Sequence, residues 1–86
     1  MHYVYVIKSV KLDELYIGQT NDLKRRFVEH NTEKNVSTKN KAPFKLVYYE
    51  AYTSKSDAKH RETMLKRFAG SMTHLKKRIK NSILES

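Results

Sequence analysis

Residues 15–31 read LYIGQTNDLKRRFVEHN, and two textures meet in them. Leu15, Tyr16 and Ile17 have the aromatic and branched character of a strand. Thr20, Asn21 and Asp22 follow as turn and cap residues, and Leu23 and Phe27 then recur at helical spacing. At about 100° per residue, Leu23 and Phe27 set the buried direction of this helix. Arg26 and His30 fall within roughly 60° of Leu23, whereas Lys24, Arg25 and Glu29 point elsewhere. A guanidinium against a sheet is costly unless it meets a partner. Arg26 therefore either pairs with Asp22 one turn earlier or turns its planar fork to a phosphate or carboxylate across the fold. His30 reads as a satisfied edge histidine or as a proton carrier.

Outward from this stretch the pattern stays regular. Before it, HYVYVIKSV alternates Tyr3, Tyr5 and Ile7 on one face with Val4 and Val6 on the other, and the short polar link KLDE predicts a hairpin with ELYIGQT. After it, residues 31–43 are rich in Asn, Lys and Thr and too long for an ordinary connection, which predicts a mobile binding loop. FKLVYYEAYT supplies a third strand. SKSDAKHRETMLKRFAG opens with Ser54 and Asp57 in capping-box spacing and is expected to stop at Gly70. Met72, Leu75, Ile79 and Ile83 space a third helix. The fold class is α/β (α+β): a three-stranded, mainly antiparallel sheet flanked by helices in the order β-β-α-β-α-α, with residues 1–86 as a single domain.

With 86 residues, every motif must share one core. Lys and Arg number 18 against 9 Asp and Glu, a formal charge of +9 that draws polyanions by steering and counterion release. The absence of cysteine excludes disulfides and thiolate chemistry, so any metal must be held by carboxylate, imidazole or hydroxyl. No apolar run is long enough to span a bilayer and MHYVYVIKSV has no leader pattern, so the expected setting is cytoplasmic, with no membrane partner.

In the second long helix, Ala58, Leu65 and Ala69 form the apolar stripe, and Glu62 stands near its centre. Such a carboxylate either pairs structurally with a neighbour or holds a metal ion that a phosphate also touches. Tyr5 and Tyr16 fit the rim of a hairpin equally well as ordinary strand residues. Together, two phenols, an arginine, an imidazole and a carboxylate are directed at the space between one sheet and two helices. That set suits phosphodiester hydrolysis, which needs a base for water, a cation for the phosphate and a metal for the leaving oxygen.

The chain resembles the GIY-YIG nuclease domains, above all the small standalone bacterial ones, over almost its whole length. Tyr16-Ile17-Gly18 carries the second signature half, Arg26 and His30 lie on the helix behind it, and Glu62 stands in a later capped helix; Tyr3-Val4-Tyr5 takes the place of Gly-Ile-Tyr and keeps only the tyrosine. The resemblance implies a metal-dependent endonuclease acting on DNA, with RNA as the other candidate. It implies that Tyr5 activates the attacking water, Tyr16 positions water and phosphate, Arg26 contacts the scissile phosphate and His30 shuttles a proton or bonds the phosphate. Glu62 is then the protein ligand of one Mg²⁺ or Mn²⁺. Gly18 is needed for its small size, where backbone or substrate comes close.

Lys8, Lys24, Arg25, Lys39, Lys41, Lys66 and Arg67 are the expected nucleic-acid contacts, reading charge and shape. Two other functions compete: a non-catalytic nucleic-acid-binding module, and an accessory subunit docking a protein partner, or a second copy, through the C-terminal helix. A pure binder has no use for a carboxylate facing phosphates, so Glu62 discriminates between them.

Overall fold

The computed structural model describes residues 1–32 and 38–85. Two strands, β1 (His2–Ser9) and β2 (Glu14–Thr20), form the expected hairpin, followed by helix α1 (Leu23–Asn31), strand β3 (Phe44–Tyr52), and helices α2 (Lys55–Arg67), α3 (Ala69–Arg78) and α4 (Lys80–Leu84). The sheet order is β2-β1-β3 and both pairings are antiparallel. The order β-β-α-β-α-α therefore holds, with its last helix in two segments.

β1 is the central strand, and its Val4, Tyr5, Val6 and Ile7 are all buried, since both faces of the sheet are covered. Val4 and Val6 pack with Ala58, Leu65, Leu75 and Ile79 of the C-terminal helices. Tyr5 and Ile7 pack with Phe44, against Leu23 and Phe27 of α1. Each fully buried valine or isoleucine contributes roughly 1.5–3 kcal/mol relative to exposure. The alternation along β1 therefore decides which helix meets which face.

The local ends follow side-chain chemistry. Asp13 closes the hairpin with φ 56, a left-handed value that Asp tolerates, and its N–H donates to the Ser9 carbonyl at 2.8 Å. The Asp22 carboxylate accepts from the Arg25 N–H at 3.1 Å and caps α1. Ser54 caps α2, accepting from the Asp57 N–H as its spacing predicts.

Three expectations need correction. α2 stops at Arg67, because Phe68 takes an extended backbone (φ −112, ψ 106) and its carbonyl starts α3. Gly70 falls in the first turn of α3 without a positive φ, and Ala69 is exposed rather than part of the stripe. At Ile79 the backbone opens (φ −110, ψ 23), yet the Ile79 and Ile83 N–H groups keep helical bonds, so Leu75 and Ile79 stay buried across the break. In the connection of residues 31–43, residues 33–37 lie outside those described. The part nearest β3 is tied down: Thr38 is 1% exposed, Ser9 Oγ donates to the Lys41 carbonyl at 2.6 Å, and Asn31 Oδ1 accepts from the Phe44 N–H at 2.6 Å.

Candidate active site

Four elements and one loop surround a cleft of about 460 Å³. Tyr5 comes from β1, Tyr16, Gly18 and Gln19 from β2, Arg26 and His30 from α1, Glu62 and Lys66 from α2, and Thr38 from the connection before β3. The five residues singled out as carriers of chemistry thus line one space.

Register places Tyr5. It sits opposite Gly18 in the β1–β2 ladder, and its ring lies directly over that glycine; a Cβ on residue 18 would run into the phenol ring and hydroxyl. What comes close to Gly18 is the Tyr5 ring itself. The Tyr5 hydroxyl lies 2.7 Å from His30 Nε2, and His30 Nδ1 lies 2.8 Å from Thr38 Oγ1. His30 is 4% exposed. Burial pushes the Tyr5 phenol above its ordinary value, with the Arg26 guanidinium pulling the other way. Burial, then the Arg26 charge, holds His30 below the usual imidazole value. At neutral pH the pair is a protonated phenol beside a neutral imidazole.

Arg26 does not pair with Asp22. Its Nη1 meets Glu29 Oε1 at 3.1 Å, while Asp22 serves as cap and lies 3.9 Å from Arg25 Nε. Glu29 thus turns toward Arg26 instead of pointing away, because an i,i+3 pair brings the two side chains over one turn. Burial works against the Arg26 charge, but the Tyr5 hydroxyl and Glu29 outweigh it and raise the guanidinium's pKa. The Tyr16 hydroxyl donates to Glu14 Oε2 at 2.5 Å, and Lys41 Nζ stands 4.9 Å from the Tyr16 ring centre.

Glu62 lines the cleft with its side chain 24% exposed, and Lys66 Nζ meets its Oε2 at 3.1 Å. Lys66 is 51% exposed, so this pair is worth about 0–1 kcal/mol. Among the described residues, no three His, Cys, Asp or Glu side chains cluster to cage a metal. The donor set fits a hard divalent ion held by one carboxylate, with water and phosphate oxygens completing its shell.

Of the expected nucleic-acid contacts, Lys66 lines the cleft and Lys41 flanks Tyr16, while Lys24, Arg25, Lys39 and Arg67 are exposed. Lys8 is engaged within the fold. Its ammonium bonds the Ile83 carbonyl at 2.9 Å and Asp13 at 3.3 Å with the side chain 15% exposed, so it ties β1 to α4. Gln19, Glu29 and Thr38 are site residues that sequence reasoning passed over. Glu29 and Arg26 at i,i+3 carried a findable signal. Thr38 reaches His30 through the path of a loop, which no local pattern encodes.

The profile of the GIY-YIG catalytic domain matches residues 1–78. The chain belongs to the GIY-YIG family. It is 42% identical over 69 residues to the UPF0213 protein of Staphylococcus haemolyticus, a match covering 79% of this chain and 83% of that one. With the UPF0213 protein of Clostridium perfringens it shares 40% over 68 residues, covering 78% of this chain and 72% of the other. The solution structure of the UPF0213 protein from Bacillus halodurans is similar with a TM-score of 0.51 at 34% identity, over 87% of this chain and 84% of that one. Membership in the GIY-YIG family supports a nuclease-type function with DNA as the bound substrate.

Proposed function

We propose that the chain is a divalent-metal-dependent endonuclease that hydrolyses phosphodiester bonds in DNA, directed to branched, nicked or damaged forms. The observation that carries this reading is the shared cleft: the Tyr5–His30 hydrogen bond, the Arg26 guanidinium and the Glu62 carboxylate all face it.

The roles follow from the chemistry of the side chains. With His30 protonated at Nδ1, that N–H donates to Thr38 Oγ1 and leaves Nε2 to accept the Tyr5 proton. As the phenol yields its proton to His30, its oxygen takes one from the attacking water, and Arg26 stabilises both the phenolate and the charge gathering on the phosphate. His30 then holds a proton that it releases as the cycle closes. Tyr16, released from Glu14, positions water and phosphate. Glu62 would hold Mg²⁺ or Mn²⁺, and the ion when bound supplies charge neutralisation at the leaving oxygen.

The described residues form one such cleft, so cutting both strands of a duplex calls for two binding events or a second copy. The Glu62–Lys66 pair favours one rival, a binding module whose carboxylate is merely paired. Both readings are separated by incubating purified protein with supercoiled, flapped, forked and single-stranded DNA and Mg²⁺ or Mn²⁺. Nicking is expected from the wild type, and chelation, Glu62→Ala or Arg26→Ala should abolish it while salt-sensitive binding persists. Equal background from wild type and Glu62→Ala across the panel would establish the binding module instead.

A further inference from the structure

The cleft does not end at Arg26. Gln19 and Arg26 also line a polar groove of about 310 Å³ that runs past Asn21, Arg25 and Lys55. Asn21 in turn borders a concavity of about 520 Å³ on the other flank of α1, walled by Tyr3, Phe27, Leu46 and Tyr49 with Lys24 at its edge. Shared lining residues set the three side by side, from the candidate active site around the start of α1 to an aromatic shelf. Tyr49 is the cross-strand neighbour of Tyr5, so the shelf lies one strand over from the candidate base.

The shelf has the wrong chemistry for plain surface. Tyr49 is 53% exposed and Leu46 37%, and the Tyr3 and Tyr49 rings meet edge to face with centres 6.0 Å apart. Lys24, Arg25, Arg26 and Lys55 follow the path, and the acid on it, Asp22, is engaged as the cap of α1. A line of cations leading to exposed aromatic faces is how single-stranded nucleic acid is held: the cations track the backbone and the rings stack a base. A second copy of this chain would bring the same cations against these, so like charges oppose that occupant.

We propose that this path seats one strand of the nucleic acid and that the Tyr3–Tyr49 shelf stacks an unpaired nucleobase of the strand whose phosphate lies in the cleft. This rests on the nuclease reading of the cleft and adds to it a requirement for unstacked nucleotides beside the cut.

The test is binding in EDTA, by fluorescence anisotropy, to three labelled oligonucleotides of one length: a single strand, the same strand with abasic sugars throughout, and a duplex. The Tyr3→Ala/Tyr49→Ala double variant should bind the single strand about tenfold more weakly, on the order of one lost base–aromatic stack. Its affinity for the abasic strand should change less than about twofold, and the matching phenylalanine variants should bind like wild type, because stacking uses the ring. An unchanged affinity for the single strand, or an equal loss on the abasic one, overturns the proposal; so does a change in sedimentation mass with affinity intact, which would mark a contact between copies.

Should the alanine variant not fold, photocrosslinking of a 5-iodouracil strand to wild-type protein decides. An adduct at Tyr3 or Tyr49 is expected, and adducts found only elsewhere overturn the shelf. Since no arm depends on cleavage, a protein that stacks bases but cuts nothing defeats only the nuclease reading. One that cuts without base-dependent binding defeats only the shelf.

Discussion

Gly18 and Tyr5 occupy one another's space, which explains why a strand at the heart of the site tolerates a residue of low strand preference. Gly18→Ala forces the phenol out of the cleft, and overpacking of this kind costs about 1–3 kcal/mol. Cleavage should fall with it, and a crystal structure of the variant should show the Tyr5 ring rotated away from His30. Thr38 acts one bond further out. Thr38→Val removes the acceptor that favours the Nδ1–H tautomer, whereas Thr38→Ser keeps it. The valine variant should lose about tenfold or more in rate and shift its His30 ring ¹⁵N signals, and serine should restore both.

His30 must be neutral to take the Tyr5 proton, and burial and Arg26 depress its pKa, so the acid limb of the rate profile should lie below the ordinary imidazole value. The Tyr5–Gly18 coupling was legible only as an expected close approach at Gly18. The residue that approaches is set by ladder register, which the hairpin pattern implies but does not identify.

At the scale of elements, β3 and α2 are joined by Glu50, whose carboxylate accepts from the Tyr48 hydroxyl, from Tyr52 at 2.5 Å and from Arg61 Nε at 2.7 Å. Burial alone would raise the Glu50 pKa, but these three donors outweigh it and hold it below its usual range. Burial, then the hydrogen bond to Glu50 and its charge, pushes the Tyr52 phenol up to about 12. A depressed carboxylate pKa adds stability above the unfolded value and loses it as pH falls through the folded one.

Glu50→Gln should therefore cost about 2 kcal/mol at pH 7, the scale of a hydrogen bond to a charged group, lowering Tm by on the order of 10 °C. The deficit should shrink progressively as melts are taken to acid pH, down through the depressed pKa of folded Glu50; a deficit independent of pH would count against the account. The hairpin, both capped helices and β3 were readable because alternation, helical spacing and cap residues act locally. The end of α2 was not. Gly70 looked like a stop signal, but the stop is an extended turn at Phe68 that brings Leu75 and Ile79 back onto the sheet.

At the scale of the molecule, the cleft opens between α1 and α2 beside the β1–β2 hairpin, in a body of 30 × 26 × 20 Å. On the proposed reading, the formal charge of +9 draws a polyanion toward the cleft, and the exposed cations around α1 and α2 are expected to orient the strand. Side chains from four elements meet there because the central β1 turns its odd-numbered face to α1, while α2, packed on the even-numbered face, reaches the cleft with Glu62 and Lys66. Removing one oxygen atom probes that convergence with the least disturbance. In Tyr5→Phe the ring still fills its place over Gly18, and single-turnover cleavage with Mg²⁺ or Mn²⁺ should drop at least about 100-fold, the lower range for general-base loss. DNA affinity measured in the same preparation should stay within about twofold. Cleavage by Tyr5→Phe at the wild-type rate would contradict the assignment of this cleft as the hydrolytic centre.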